Sequence, residues 1–188
     1  MATSEYWRKA CHSFAGLSIS LAYLWLPKDI FSCLFFPAAA IYIIIEIARL
    51  KIRWIERMYL LAAKNFLRDE EYSRPSAAFY FFVGSALTIL LFPKQIAVGA
   101  LIVLAISDTL AALVGRRYGK HRIWNKTLEG SMAFFISAWL ILTLYFGCGP
   151  LKHLMPALAG TLAELLPCPI NDNLLIPLVI GLSYVIFF

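Results

Sequence analysis

Asp108 and Glu129 stand on either side of a loop that carries Arg116, Arg117, Lys120, Arg122 and Lys126. Carboxylates flanking a cluster of cations suit Mg²⁺-polyphosphate chemistry. Hard Mg²⁺ takes oxygen ligands, commonly one or two carboxylates plus substrate phosphates. Phosphoryl transfer needs mainly positioning, metal and cationic stabilisation. Gly115 and Gly119 allow close backbone approach, and the cations neutralise polyphosphate. The run GRRYGKH is not a Walker A loop: it has one residue too few between its glycines and no Ser or Thr after Lys120. A plain stop-transfer role explains the positive charge alone. It does not explain carboxylates on both sides.

Asp108 interrupts an apolar run, seven residues before Gly115. At 1.5 Å per residue it lies roughly 10 Å inside its helix end. Its helical neighbours Ala105, Ala111, Ala112 and Gly115 are small, so the carboxylate faces other helices rather than lipid. Such residues usually mark function, because charge in hydrocarbon is costly. The alternative is an ion pair that fixes helix packing. Glu129 in NKTLEGS also has a capping alternative, with Asn125 or Thr127 as the cap and Glu129 in the first turn. Glu46, Glu164 and Asp172 are further carboxylates inside or at the edge of apolar runs.

These residues need a membrane frame. The chain of 188 residues is 61% hydrophobic, 15% charged, with mean hydropathy +0.75. A soluble domain is nearer half apolar and a quarter charged. An all-α polytopic membrane helix bundle is expected, with about seven spans at 10–26, 30–48, 77–92, 96–114, 131–147, 151–166 and 174–188. The first could be a signal peptide, but Pro27-Lys28-Asp29 offers no small-x-small cleavage pattern, so it reads as a retained helix. With the N-terminus cytoplasmic, all 17 basic residues except Lys28, Lys94 and Lys152 fall on cytoplasmic segments. That is the positive-inside pattern, and it accounts for the net charge of +6 without a nucleic-acid partner. The polar segment 49–76 begins either as an amphipathic helix on the inner membrane surface or as an extension of the second span. Cys11, Cys33, Cys148 and Cys168 lack metal-type spacing and read as small apolar residues in or near helices. No internal repeat or second domain is visible, so residues 1–188 are expected to form one integral membrane domain.

Four stretches, in order, resemble the dolichol kinase, phytol kinase and CTP-dependent diacylglycerol kinase family, itself distantly similar to phosphatidate cytidylyltransferases. They are RKACHSFAG (8–16), EIAR (46–49), the long run FPKQIAVGALIVLAISDTLAALVGRRYGK with NKTLEGSMAFF (92–135), and GTLAELLPCPINDNLLIPL (160–178). The length resembles the compact prokaryotic type, and Ser107 stands where a glycine often precedes the aspartate. The resemblance implies phosphate transfer from a nucleoside triphosphate, usually CTP, to a lipid alcohol such as a polyprenol, phytol-like alcohol or diacylglycerol. Asp108, Lys126 and Glu129 would be catalytic, with Asp108 and Glu129 holding Mg²⁺. Gly115, Arg116, Arg117, Gly119, Lys120 and Thr127 would bind the nucleotide. Arg8, Lys9, His12, Glu46, Arg49, Glu164, Asn171, Asp172 and Asn173 are further site candidates. The location implied is a prokaryotic cytoplasmic membrane with the site facing the cytoplasm, and a homodimer is compatible with it.

Two other readings stay open. A cytidylyltransferase would use the same nucleotide and metal to make a CDP-lipid. A transporter would use the carboxylates as a proton relay, although transporters usually place such charges near the midplane of repeated halves. A non-enzymatic membrane subunit would explain the spans but give the Asp108–Glu129 pairing no role.

Overall fold

The computed structural model describes residues 2–63, 67–147 and 149–187. Lys64, Cys148 and Phe188 entered the charge, cysteine and span readings and lie outside the described residues. Those residues form eight α-helices: α1 (Ala2–Trp25), α2 (Lys28–Arg49), α3 (Arg53–Ala63), α4 (Ala77–Leu91), α5 (Lys94–Tyr118), α6 (Leu128–Phe146), α7 (Leu154–Leu165) and α8 (Asp172–Phe187). Each expected span coincides with one of them. Three, α2, α5 and α6, are long and apolar enough to cross a membrane, whereas α4 and α8 are apolar but shorter.

The organising element is α5. A helix that is apolar all round is a buried one. Ala97, Val98, Ala100, Leu101, Val103, Leu104 and Ala105 are all at most 1% exposed. Helices α1, α4, α6 and α8 pack around it. Small residues set the closest crossings. A Cβ on Gly16 of α1 would come 2.7 Å from the Ala105 side chain, and one on Gly130 of α6 would come 2.8 Å from the Ala111 carbonyl. Aromatic rings fill the wider gap between α1, α2 and α4, where Tyr23, Phe31 and Phe35 are buried together.

Segment 49–76 is resolved in favour of a separate helix. The carbonyl of Ala48 accepts from Lys51 and Ile52, the chain turns, and α3 restarts at Arg53. Trp54, Met58 and Leu61 form an exposed stripe at i, i+4 and i+7. The connector to α4 is pinned from within. Arg49 donates to Glu46 at 2.7 Å and to the carbonyls of Glu71 and Arg74 at 2.9 Å, while Glu46 accepts from the Ser76 amide at 2.7 Å. Glu46 and Arg49 are both buried, so they pair with one another as a buried charge must. These two site candidates therefore anchor a loop.

One end of the bundle gathers three turns. The Lys94 ammonium donates to the Leu26 carbonyl, joining the α1–α2 and α4–α5 turns. Ile96 and Lys152 line one small hollow, which brings the α6–α7 link alongside. Lys28, Lys94 and Lys152 thus share an end. The α5–α6 loop at the opposite end contains an element that helical periodicity does not announce. Strands β1 (Arg122–Ile123) and β2 (Lys126–Thr127) form a hairpin closed by Trp124 and Asn125, with Trp124 at φ 52°.

Candidate active site

The site is assembled at the α5–α6 loop end by six helices and the hairpin. Asp108 projects from α5, 5% exposed, and pairs with Lys9 of α1. One helical turn along α1, Ser13 donates to the Ala105 carbonyl at 2.8 Å and shares a hydrogen bond with Thr109. Spacing of four residues puts Lys9 and Ser13 on the same face of α1, so one polar stripe both docks the helix and delivers the lysine.

Lys126 makes the second cluster. Its ammonium donates to Glu164 of α7 at 2.9 Å and to Asp172 at the start of α8 at 2.6 Å. Burial alone would depress such a group, but the Asp172 and Glu164 carboxylates outweigh it and push Lys126 up to about 12. The other oxygen of Glu164 accepts from Ser131 at 3.0 Å. Asn171 accepts from the Asn173 amide at the α8 start, and the Asn173 side chain donates to the Ala77 carbonyl. Lys126 therefore ties the hairpin to α7 and α8, three elements distant in sequence.

Thr127 caps α6, its hydroxyl accepting from the Gly130 amide at 3.2 Å. This settles the capping alternative for Thr127 and leaves Glu129 in the first turn. The Glu129 carboxylate accepts from the His121 amide at 3.2 Å and meets His121 Nδ1 at 2.8 Å. A cavity of about 740 Å³ lies between the clusters, lined by Arg8, Lys9, His12, Asp108, Gly115, Arg116, Gly119, Lys126, Thr127, Glu164, Asn171, Asp172 and Asn173 among the candidates. Glu129 is not among its lining residues, because its place in the first turn of α6 directs it to the loop backbone. Of the Asp108–Glu129 pair expected to share a metal, Asp108 lines the cavity and Glu129 does not. Arg117, Lys120, Glu46 and Arg49 also stand outside the lining; the Arg117 guanidinium lies over the Tyr118 ring.

The lining includes Arg68, Glu70 and Trp124, which pattern reading passed over, and also Arg122 and Asn125, which it read as a loop cation and a possible helix cap. Arg68 and Glu70 reach it because the Glu46–Arg49 anchor folds the connector back. Their charge-dense run RDEE was visible in the sequence, but its destination was not. Six cationic side chains face four carboxylates across the cavity, which suits an anion that arrives with its own cation.

The donor set bears on Mg²⁺. Among the described residues no three His, Cys, Asp or Glu side chains are grouped to hold an ion by themselves. Asp108 has one oxygen on Lys9, and Glu164 and Asp172 are spanned by Lys126. A hard cation such as Mg²⁺ would here take at most one or two carboxylate oxygens and its other ligands from phosphate and water.

An α-helical bundle with three helices long and apolar enough to cross a membrane, and a charged, carboxylate-bearing cavity, fits a membrane protein. An uncharacterised protein of Rickettsia prowazekii is 30% identical over 190 residues, covering 96% of this chain and 93% of that one. The CTP-dependent diacylglycerol kinase 1 of Schizosaccharomyces pombe is 27% identical over 65% of this chain and 65% of its own length. The dolichol kinase of Saccharomyces cerevisiae is 32% identical over 62% of this chain and 24% of its own. The chain thus spans less than two thirds of these two named kinases. No family model and no solved structure matches it. The chain belongs to the family of dolichol kinase, phytol kinase and CTP-dependent diacylglycerol kinase.

Proposed function

We propose that this protein is a membrane lipid kinase that transfers the terminal phosphate of a nucleoside triphosphate, CTP by analogy with its named relatives, to a lipid alcohol. The observation that carries this is the convergence of Asp108, Lys126, Glu164 and Asp172 with Arg8, Arg116 and Arg122 around one cavity. The arginines and Lys126 offset the charge of the triphosphate and fix its direction. Asp108, held by Lys9, would hold Mg²⁺. When bound, that ion would help neutralise the charge that develops on the transferring phosphate. Lys126, locked by Glu164 and Asp172, keeps its ammonium charged and in one place. In the reaction the lipid hydroxyl gives up its proton to a cavity carboxylate or to water, its oxygen bonds to the terminal phosphorus, the bond to the bridging oxygen breaks, and the nucleoside diphosphate leaves with its electron pair.

The lipid alcohol enters from the bilayer, so the cavity belongs at a membrane surface. The basic residues that line it, set against Lys28, Lys94 and Lys152 at the other end, support a cytoplasmic site in a seven-span arrangement within a prokaryotic cytoplasmic membrane. Shorter helices such as α7 are accommodated by local thinning of the bilayer. The test is incubation of the purified protein with labelled triphosphates and a panel of polyprenol, phytol and diacylglycerol. Lipid phosphate with nucleoside diphosphate supports the kinase. CDP-lipid with pyrophosphate replaces it by a cytidylyltransferase, and no nucleotide-dependent product at all refutes both.

A further inference from the structure

We propose that Trp124 is the platform on which the nucleobase of the triphosphate stacks; this rests on the nucleotide-kinase reading. Trp124 occupies the first turn position of the hairpin with φ 52°. That left-handed region is sparsely populated by bulky residues, and strain of this kind persists only where the surroundings impose it. Here they do: the flanking pairs Arg122↔Thr127 and Ile123↔Lys126 close the hairpin, and Thr127 is fixed as the cap of α6. The result holds a large ring against its backbone preference. Core packing does not account for it, because Trp124 is 59% exposed and joins neither apolar cluster.

Trp124 lines the cavity. Among the described residues, two aromatic side chains line it, His12 and Trp124. His12 is spoken for by Phe81, edge to face at 4.9 Å. Trp124 therefore supplies the open π surface in an enclosure otherwise lined by charged, polar and small residues. Lys126 follows two residues later, just past the turn, and lines the same cavity, so one nucleotide can reach both residues, with its base on one and its phosphates on the other. With Lys126 and the arginines on the phosphates, the base lies against the indole. Stacking tolerates any base, since each has a π face. The competing role is that of an interfacial tryptophan settling among lipid headgroups.

The test uses the purified full chain in lipid nanodiscs with Mg²⁺ and calorimetric binding of CTP, ATP and inorganic tripolyphosphate, which has no base. Trp124→Ala should weaken CTP and ATP by about ten-fold or more and leave tripolyphosphate unchanged, while Trp124→Phe keeps most of the nucleotide affinity. Equal CTP affinity in the parent and Trp124→Ala overturns the proposal. Equal loss of nucleotide and tripolyphosphate overturns it too, assigning Trp124 to hairpin shape. A raised KM for the lipid alcohol with unchanged nucleotide binding assigns it to the membrane interface. A parent that binds no nucleotide overturns the kinase reading together with this one.

Discussion

The Lys9 ammonium lies 2.5 Å from the Asp108 carboxylate, joining α1 to α5 across 99 residues of chain. Both side chains are largely withdrawn from solvent, at 14% and 7% exposure. The pairing means that Asp108, a candidate site carboxylate, is also half of a packing contact. Asp108→Asn should therefore lower phosphate transfer by about 10²–10³-fold, the usual cost of removing one such electrostatic group. It should also destabilise the protein by up to about 3–5 kcal/mol, since Lys9 loses its partner. The double variant Asp108→Asn with Lys9→Met should recover the melting temperature without recovering turnover. Recovery of both would reduce Asp108 to a packing role.

Lys126 is held by two carboxylates, and its pKa is raised above the ordinary lysine value of 10.5 to about 12. The folded state thus binds this proton more tightly than the unfolded one. The stability so contributed is fully present below the unfolded value and is lost as pH rises through the folded one. The melting-temperature difference between the parent and Lys126→Met should stay constant between about pH 7 and pH 9 and shrink only above about 10.5. Across the lower range the nucleotide KM of the variant should be raised at every pH, the KM being read with single-turnover data to separate binding from chemistry. A parental nucleotide KM in the variant would remove Lys126 from the site.

The α5–α6 crossing leaves no room for a methyl group. A Cβ at Gly130 would lie 2.8 Å from the Ala111 carbonyl and 3.3 Å from the Gly115 Cα, both backbone atoms. Gly130→Ala should cost about 1–3 kcal/mol by overpacking. It should also weaken nucleotide binding, because the Thr127 cap and Lys126 move with α6. A variant as stable and active as the parent would show that the crossing yields freely.

The Glu46–Arg49 anchor predicts an effect at a distance. Arg49→Met removes the donor to the Glu71 and Arg74 carbonyls and leaves Glu46 buried without its cation. The connector that carries Arg68 and Glu70 to the cavity should loosen. Limited proteolysis should then cut near residues 68–76 in the variant before the parent, and the nucleotide KM should rise more than turnover falls. Parental protease resistance would contradict the anchor.

Orientation is open to direct labelling. Single cysteines placed at Lys120 and at Lys94, in a chain whose native cysteines are replaced, should react with a membrane-impermeant reagent from the cytoplasm and from outside respectively. Labelling of the Lys120 position from outside would reverse the arrangement.

Composition and periodicity were enough to reveal the helices, because an apolar run of helical length in a chain this hydrophobic has few other ways to satisfy its backbone. The charge partition likewise separated Lys28, Lys94 and Lys152 from the other cations, and their turns share an end. Asp108 declared itself through its small neighbours, since only a helix-facing carboxylate sits among Ala105, Ala111 and Gly115. Other features depended on contacts between residues far apart in the chain. Nothing local to Lys126 announces Glu164 and Asp172, which lie 38 and 46 residues away. Glu129 has the residue type and spacing of a site carboxylate, yet its helix-start position sends it to His121. Glu46 and Arg49 read as a site pair and became a loop anchor once the connector folded over them. The short hairpin that presents Trp124 has no period long enough to detect. Residue type and spacing determined which groups this protein could use; the crossing of α1, α5 and α6 decided which of them meet, because side-chain direction follows from helix packing rather than from distance along the chain.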